Sequence, residues 1–215
     1  MERVACFIDG FNLYHAIDGL KQNHLKWVNL WKLVEQFIDP TQHKLDAVNY
    51  FSAFATWLPE PYKRHREFVR AIVSVGVAPM MGKFYDKPRE CRKCGHQWTA
   101  HEEKSTDVNI AVSLVVDAFE DRYDRALLIS RDSDLAPAVR LVSEKFPAKR
   151  VVIVSPPCLN HSGELVNALP KKRRERLLKT IKVVHLEHCL FPEQVKDSGG
   201  NVVAVRPAKY GPPPG

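Results

Sequence analysis

The chain has 215 residues, of which 45% are hydrophobic and 27% are charged, and this composition is typical of a globular domain with a sizeable core. No run of about 18 apolar residues occurs, and the opening MERVACFIDGFN lacks the basic and apolar regions of a signal peptide, so we expect a soluble, cytoplasmic protein without a membrane segment. The net charge of +7 favours a polyanionic partner, although a solvated basic surface has the same composition.

Short apolar runs alternate with helical patterns along the chain. In chain order, we predict strands at 4–8, 45–56, 77–85, 125–130, 151–155 and 181–185, and helices that begin near 12, 29, 60, 105, 135 and 163. Strands that alternate with helices predict an α/β domain over 1–195, with a mainly parallel sheet flanked by helices on both faces. A polar, cysteine-containing segment, 86–103, is predicted to be an insertion. The Gly- and Pro-rich segment 196–215 is predicted to be a flexible tail.

Acidic residues follow two of the predicted buried strands. Asp9 ends the first strand, and Asp132 and Asp134 follow the strand RALLIS. The carboxyl ends of parallel strands form the ligand crevice of such sheets, so these side chains should face one cleft. Asp107 lies in the first turn of the helix predicted from about 105, where it would join them if that helix starts above the same edge.

Four neighbouring carboxylates predict a divalent-metal site. Like charges raise one another's pKa values, and a hard cation such as Mg²⁺ or Mn²⁺ relieves that repulsion while it can activate a water for attack on phosphorus. Each aspartate also has an ordinary structural interpretation: Asp9-Gly10 as a turn, Asp132 or Ser133 as a helix cap, and Asp107 as a partner of the helix dipole.

Polar neighbours extend this candidate site. Asn12 is expected either to cap the first helix or to hold a metal-bound water or a phosphate oxygen. Ser130 and Ser133 flank Asp132 and are candidate donors to carboxylate or phosphate.

Three motifs in order, FIDGFNLYH, KSTDVNIAV and LLISRDSDLAPAVR, resemble those of the NYN domain, a relative of the PIN-like nucleases, over about 3–192. The resemblance implies a three-layer sheet and helix fold and metal-dependent cleavage of RNA. It places the family's site on Asp9, Asn12, Asp107, Ser130, Asp132 and Asp134. Arg131 stands where the family often has glycine, and it would contact phosphate or change access to the site.

The leading hypothesis is therefore an endoribonuclease that uses Mg²⁺ or Mn²⁺. A catalytically silent RNA-binding or adaptor module is one alternative, and a metal-dependent phosphatase or a DNA nuclease that uses the same cleft is another. The helix predicted over 60–75 carries basic residues, and aromatic residues lie nearby: Lys63, Arg64, His65, Arg66 and Arg70, with Trp57 and Tyr62. It would line a channel for single-stranded RNA, or it is a solvated helix face with aromatic residues in the core. The sequence also leaves open a homodimer or a regulatory protein partner.

The pair Cys91 and Cys94 has the C-x2-C spacing of a zinc half-site. With His96 and His101 it would supply four ligands for a structural Zn²⁺ that stiffens the insertion. The alternative is a reduced hairpin that holds no metal.

Overall fold

The computed structural model describes residues 1–213, apart from the side chain of Arg173. The strands are β1 (Glu2–Asp9), β2 (His43–Ala53), β3 (Ala78–Glu90), β4 (Gln97–Lys104), β5 (Arg125–Ile129), β6 (Arg150–Ser155), β7 (Leu178–Thr180), β8 (Gln194–Lys196) and β9 (Val202–Val205). The α-helices are α1 (Gly10–Gly19), α2 (Leu30–Glu35), α3 (Pro59–Val73), α4 (Thr106–Phe119), α5 (Ala136–Lys145), α6 (Gly163–Ala168) and α7 (Val183–Glu187). None of these helices is long and apolar enough to span a bilayer.

Seven strands form one sheet in the order β4-β3-β2-β1-β5-β6-β7, and each pair except β3 with β4 is parallel. The chain runs outward from β1 through β2 and β3, and it returns through α4 to β5 on the other side of β1. Right-handed crossovers then place α1 to α3 on one face of the sheet and α4 to α6 on the other. This confirms the predicted α/β fold, and it makes the gap between β1 and β5 the point at which the strand order reverses.

The central strands are buried because their sequences are apolar on both sides. Every residue from Val4 to Ile8 is at most 2% exposed, and Ala126 to Ile129 are equally buried. Continuous apolar runs are typical of parallel strands that are covered by helices on both faces. Burial on both faces therefore fixes the pairing register of the central strands. It also fixes the position of the polar residue that follows each of these strands.

The segment predicted as an insertion forms a long antiparallel hairpin. β3 continues well beyond the predicted end at 85 and pairs with β4 from Lys83 opposite Lys104 to Glu90 opposite Gln97. Most of its distal residues are exposed, which explains why the sequence shows no buried pattern there.

The predicted last strand, 181–185, is wrong. The strand is β7, which ends at Thr180, and α7 occupies Val183–Glu187. The backbone N–H of Lys182 donates to Nδ1 of His185 at 3.1 Å, a contact that favours a helical turn directly after the strand.

The predicted flexible tail, 196–215, differs from the structure over residues 196–213, and residues 214 and 215 lie outside the described residues. β8 and β9 form an antiparallel hairpin, and the N–H of Val205 donates to Glu67 on α3 at 3.3 Å. Beyond it, Tyr210 is only 5% exposed. Single apolar residues that are spaced among Pro and Gly anchor this segment. The overall composition of the segment does not predict that these residues are buried.

Candidate metal centre

The candidate site lies where the strand order reverses. Asp9 is the last residue of β1, and Asp132 follows β5, the strand that pairs with β1 through Ile8 and Ile129. Two adjacent parallel strands therefore end side by side and deliver their carboxylates to the same edge of the sheet. This is the location at which open α/β sheets bind ligands.

Asp9 is the most deeply buried acid of the site, at 2% exposure. Its Oδ1 accepts from the backbone N–H of Asn12 at 3.0 Å, and this bond caps α1. Its Oδ2 accepts from the Ser130 hydroxyl at 2.8 Å. Burial raises the pKa of Asp9, while both hydrogen bonds oppose the shift and the charge of Asp132 adds to it.

Ser130 connects the two strand ends. Its hydroxyl oxygen also accepts from the N–H of Asp132 at 3.0 Å. Asp132 then caps a short 3-10 helix, Ser133–Leu135, by accepting from the N–H of Asp134 at 2.8 Å. Ser130 therefore fixes the carboxylate of Asp9 and the backbone of Asp132, and the N–H of Asp134 fixes the carboxylate of Asp132.

The third carboxylate, that of Asp107, comes from the first turn of α4. Ser105, at the N-cap position, has φ 81° and makes no side-chain capping bond. Glu103 replaces it, because Oε1 of Glu103 accepts from the N–H of Thr106 at 3.0 Å. The cap of α4 is thus supplied by a side chain of β4 and not by Ser105. This contact holds the start of α4 above the sheet edge.

The electrostatics of Asp107 show crowding of negative charge. Partial burial raises its pKa to about 6, and the charges of Asp132, Asp9, Glu103 and Asp134 add to the shift. Carboxylate oxygens of Asp9, Asp107 and Asp132 lie within 4.8 Å of one another. We call these three residues the aspartate cluster. Three hard oxygen ligands at this spacing suit Mg²⁺ or Mn²⁺.

A model of the NYN domain matches residues 3–172. The chain belongs to the NYN domain family. NYN domains are PIN-like nuclease domains, and the motifs that carry the predicted resemblance are the ones that build the aspartate cluster.

Two further comparisons bear on this NYN chain. It is similar to 6-hydroxy-3-succinoylpyridine 3-monooxygenase HspA from Pseudomonas putida, with 25% identity over 252 residues that cover 98% of this chain and 76% of that protein. Among solved structures, VPA0982, a protein of unknown function from Vibrio parahaemolyticus, is similar with a TM-score of 0.52 and 18% identity, covering 85% of this chain and 93% of that one. The second likeness concerns the fold alone.

The remaining NYN motif residues surround the aspartate cluster without joining it. Asp134 is exposed on the 3-10 helix, so three of the four predicted carboxylates come together. Asn12 does not cap the helix; its Oδ1 accepts from the N–H of Arg131 at 3.3 Å and so links α1 to the loop after β5. The Arg131 guanidinium donates through Nε to the carbonyl of Asn160 at 2.9 Å. Ser133 is exposed beside Asp132.

The four predicted zinc ligands are not brought together. His101 pairs with Asp86 at 2.8 Å, and its ring stacks on Trp57 with a centroid distance of 3.8 Å. His96 stacks on Trp98 instead. Within residues 1–213 the only group of three or more potential ligands is the aspartate cluster. The hairpin register puts His101 opposite Asp86, several residues from the tip, and a sequence spacing does not reveal this.

Cys91 and Cys94 do form a tight turn at the tip of the hairpin. The N–H of Gly95 donates to the carbonyl of Cys91 at 2.8 Å. Backbone N–H groups of Lys93 and Cys94 lower the pKa of the Cys91 thiol. The two thiols are therefore close together at the tip, but the described residues form no four-ligand group there.

One polar contact on the α1 side of the aspartate cluster is not predictable from the sequence. The hydroxyl of Tyr50 lies 3.1 Å from Nε2 of His65, and both line a cavity that also touches Gly10. Gly10 is needed there because a Cβ would lie 2.7 Å from both the Tyr50 ring and the Phe51 carbonyl. The glycine after Asp9 suggests only a turn in the sequence, but in the structure it permits this close approach.

Proposed function

We propose that this NYN chain is a divalent-metal-dependent endoribonuclease that hydrolyses RNA phosphodiester bonds. The observation that carries the proposal is the convergence of Asp9, Asp107 and Asp132 at the switch point of the sheet. Isolated acidic residues are common on surfaces. Here one of the three is almost fully buried, and two have raised pKa values, which is typical of functional sites.

The donor set fits Mg²⁺ or Mn²⁺. The aspartate cluster offers oxygen ligands only, and its members repel one another, so a cation would lower the free energy of the ionised site. A divalent ion bound there would supply Lewis-acid activation of water and neutralisation of phosphate charge. Ser130 would keep Asp9 oriented, because its hydroxyl donates to Asp9 and accepts from Asp132.

The neighbouring residues suit roles toward substrate and proton. Asp134 lies outside the cluster and is exposed, so its carboxylate is the group that would accept a proton from the attacking water. Arg131, anchored through Nε to Asn160, would bind a phosphate oxygen. Asn12 and Ser133 would position water or phosphate at either side of the loop.

The preference for RNA rests on charge and on aromatic surface. The net charge is +7, and α3 carries Lys63, Arg64, Arg66 and Arg70. The Trp57 ring contacts the rings of Phe84 and His101, with centroid distances of 4.6 Å and 3.8 Å. Basic groups beside aromatic rings are typical of single-strand binding surfaces.

The test is cleavage of end-labelled single-stranded RNA with Mn²⁺ or Mg²⁺, and with excess EDTA, by the wild type and Asp132→Asn. We expect metal-dependent cleavage by the wild type and a loss of at least 100-fold in the variant, as on removal of a catalytic electrostatic group. Asp46→Asn is the matched control, since Asp46 lies on β2 away from the cluster and pairs with Lys44.

Each departure from that result points to a different function. Cleavage that persists in EDTA or in Asp132→Asn would contradict the proposal. Salt-sensitive RNA binding without cleavage at saturating metal would support the silent adaptor. Equal turnover of a deoxynucleotide strand would support a DNA nuclease.

A second candidate function is the oxygenation of a heteroaromatic acid. The similarity to the Pseudomonas putida monooxygenase covers 98% of this chain, and a cavity of about 330 Å³ with aromatic residues in its walls is lined by Gly10 and Phe11. Oxygen uptake with 6-hydroxy-3-succinoylpyridine and a reduced nicotinamide or flavin as electron donor tests it. Substrate-dependent uptake, absent without the pyridine, would favour this function over RNA cleavage.

A further inference from the structure

A cavity of about 330 Å³ lies between α1, the end of β2 and α3, and Tyr210 also lines it. Cavities that bind small ligands typically have volumes of about 300–1,000 Å³. The aspartate cluster does not line it, although Gly10 and Phe11, which directly follow Asp9, do. The cavity is therefore a separate compartment next to the candidate metal centre.

The walls of the cavity are apolar and largely aromatic. Leu13, Ile17 and Phe68 contribute apolar surface, and the Tyr50 ring meets Phe68 edge to face at 5.9 Å. Gly10 lets the backbone of α1 approach the Tyr50 ring closely. Flat ring surfaces held in a fixed arrangement favour a planar, ring-containing ligand over a flexible chain.

One polar pair lies within these walls. The Tyr50 hydroxyl and Nε2 of His65 are 3.1 Å apart. Burial lowers the pKa of His65 to about 4, so this imidazole is neutral at pH 7, and burial raises the pKa of Tyr50. A neutral imidazole and a protonated phenol together offer a donor and an acceptor, which match a ring nitrogen or a ring carbonyl.

The cavity also has a positive charge that forms no ion pair among the described residues. Lys26 lines it, but the Lys26 ammonium is paired with Asp18. Arg64 lines it too, and no ion pair within the described part of the chain includes Arg64, whereas its neighbour Lys63 is paired with Glu60 at 3.0 Å. The Arg64 guanidinium lies near the Tyr210 hydroxyl and interacts with the charge of Glu60, but no carboxylate of the described residues forms an ion pair with it. A half-buried guanidinium in this position favours an anionic group on the ligand.

We propose that this cavity binds a planar heteroaromatic ring that carries an anionic group, with the ring against Tyr50 and Phe68 and the anion on Arg64. Two sources share this chemistry: a nucleotide of an RNA strand and a free heteroaromatic acid. The site requires no metal, so it stands independently of the proposed nuclease activity. It would set specificity next to the aspartate cluster whichever chemistry the cluster performs.

The test is calorimetric titration of the full chain with uridine 5′-monophosphate, adenosine 5′-monophosphate and nicotinate, in EDTA. We expect at least one probe to bind with a dissociation constant below about 1 mM, the weak end of specific small-molecule affinity. Arg64→Gln should weaken binding at least 10-fold, as expected for loss of a charge-assisted hydrogen bond. Arg140→Gln is the matched control, since it makes the same substitution at an exposed position on α5 that does not line the cavity, and it should change affinity less than 2-fold.

A second variant tests the cavity itself. Ala55 lines the cavity and is half-buried, so Ala55→Leu should fill part of the volume and abolish binding without loss of the folded state, checked by thermal unfolding. Binding of a nucleotide but not of nicotinate would identify the RNA source, and the converse would identify a free acid. Absence of binding by all three probes, or binding that survives both Arg64→Gln and Ala55→Leu, would overturn the proposal.

The failure of this proposal and that of the nuclease are distinguishable. Asp107→Asn should leave probe binding in EDTA unchanged, since Asp107 does not line the cavity. Metal-dependent RNA cleavage whose KM is unaffected by Ala55→Leu, with no probe bound, would keep the nuclease and reject the cavity site.

Discussion

Replacing Ser130 by alanine isolates the residue that connects the two strand ends. Ser130 is 1% exposed, and its hydroxyl donates to Asp9 at 2.8 Å and accepts from the N–H of Asp132 at 3.0 Å. A hydrogen bond to a charged group contributes about 1.5–3 kcal/mol. Since about 1.4 kcal/mol is tenfold in an equilibrium constant, Ser130→Ala should weaken Mn²⁺ binding roughly 10- to 100-fold.

The pH dependence of binding separates this positioning role from a general loss of structure. The Ser130 hydrogen bond lowers the pKa of Asp9, so its removal lets burial raise that pKa further. Protons then compete with Mn²⁺ up to a higher pH, and the midpoint of the affinity–pH curve should move upward. The assay is calorimetric titration with Mn²⁺ at several pH values, beside RNA cleavage at saturating metal.

Ser133→Ala is the matched control, because it is the same substitution three residues later at an exposed position. It should change Mn²⁺ affinity less than 2-fold and leave the pH midpoint in place. Unchanged affinity in Ser130→Ala, or an equal loss in Ser133→Ala, would refute the argument that this hydroxyl organises the site.

Three further changes test the site and the fold. The pKa of Asp107 is about 6 in the folded protein and near 3.8 in the unfolded chain, so this group stabilises the fold at low pH and the stabilisation is lost as the pH rises through about 6. Asp107→Asn should therefore raise the thermal unfolding midpoint of the metal-free protein at pH 7.5 but not at pH 4. Gly10→Ala should lower the free energy of unfolding by about 1–3 kcal/mol through overpacking, whereas Gly163→Ala, with open space around it, should be neutral or stabilising in the same urea titration. Tyr210→Ala should lower the free energy of unfolding by up to about 3 kcal/mol, whereas Tyr85→Ala should change it by less than about 0.5 kcal/mol, because Tyr85 is 56% exposed. Equal effects of the two substitutions would mean that the C-terminal segment does not pack as described.

Much of the fold follows from the sequence because its central strands are unambiguous. Runs such as Val4–Ile8 are continuous and apolar, and an acidic residue, Asp9, follows this run directly. The βαβ pattern then fixes a parallel sheet, and a parallel sheet fixes the edge at which Asp9 and Asp132 meet. Three of the four acids that the sequence assigns to the site are close together in the structure.

The sequence predicts less well where a position depends on partners distant along the chain. Asp134 is two residues from Asp132, but the 3-10 helix between them turns its side chain out of the cluster. Glu103 caps α4 from the end of β4, and no local capping pattern in the sequence predicts this role. His101 has plausible zinc spacing, yet hairpin register pairs it with Asp86.

The C-terminal segment shows why composition is a weak guide to order. Along 196–215, glycine raises the conformational entropy that folding must overcome, and proline lacks a backbone N–H donor. Considered residue by residue, this composition favours a mobile tail. Two features offset that cost: the pairing of β8 with β9, and the burial of Tyr210 beside α1 and α3. Burying one aromatic side chain contributes about 1.5–3 kcal/mol, enough to hold a short segment whose backbone is already restricted by proline. The same tyrosine lines the cavity beside the aspartate cluster, so the residues that order this segment also shape the space next to the site.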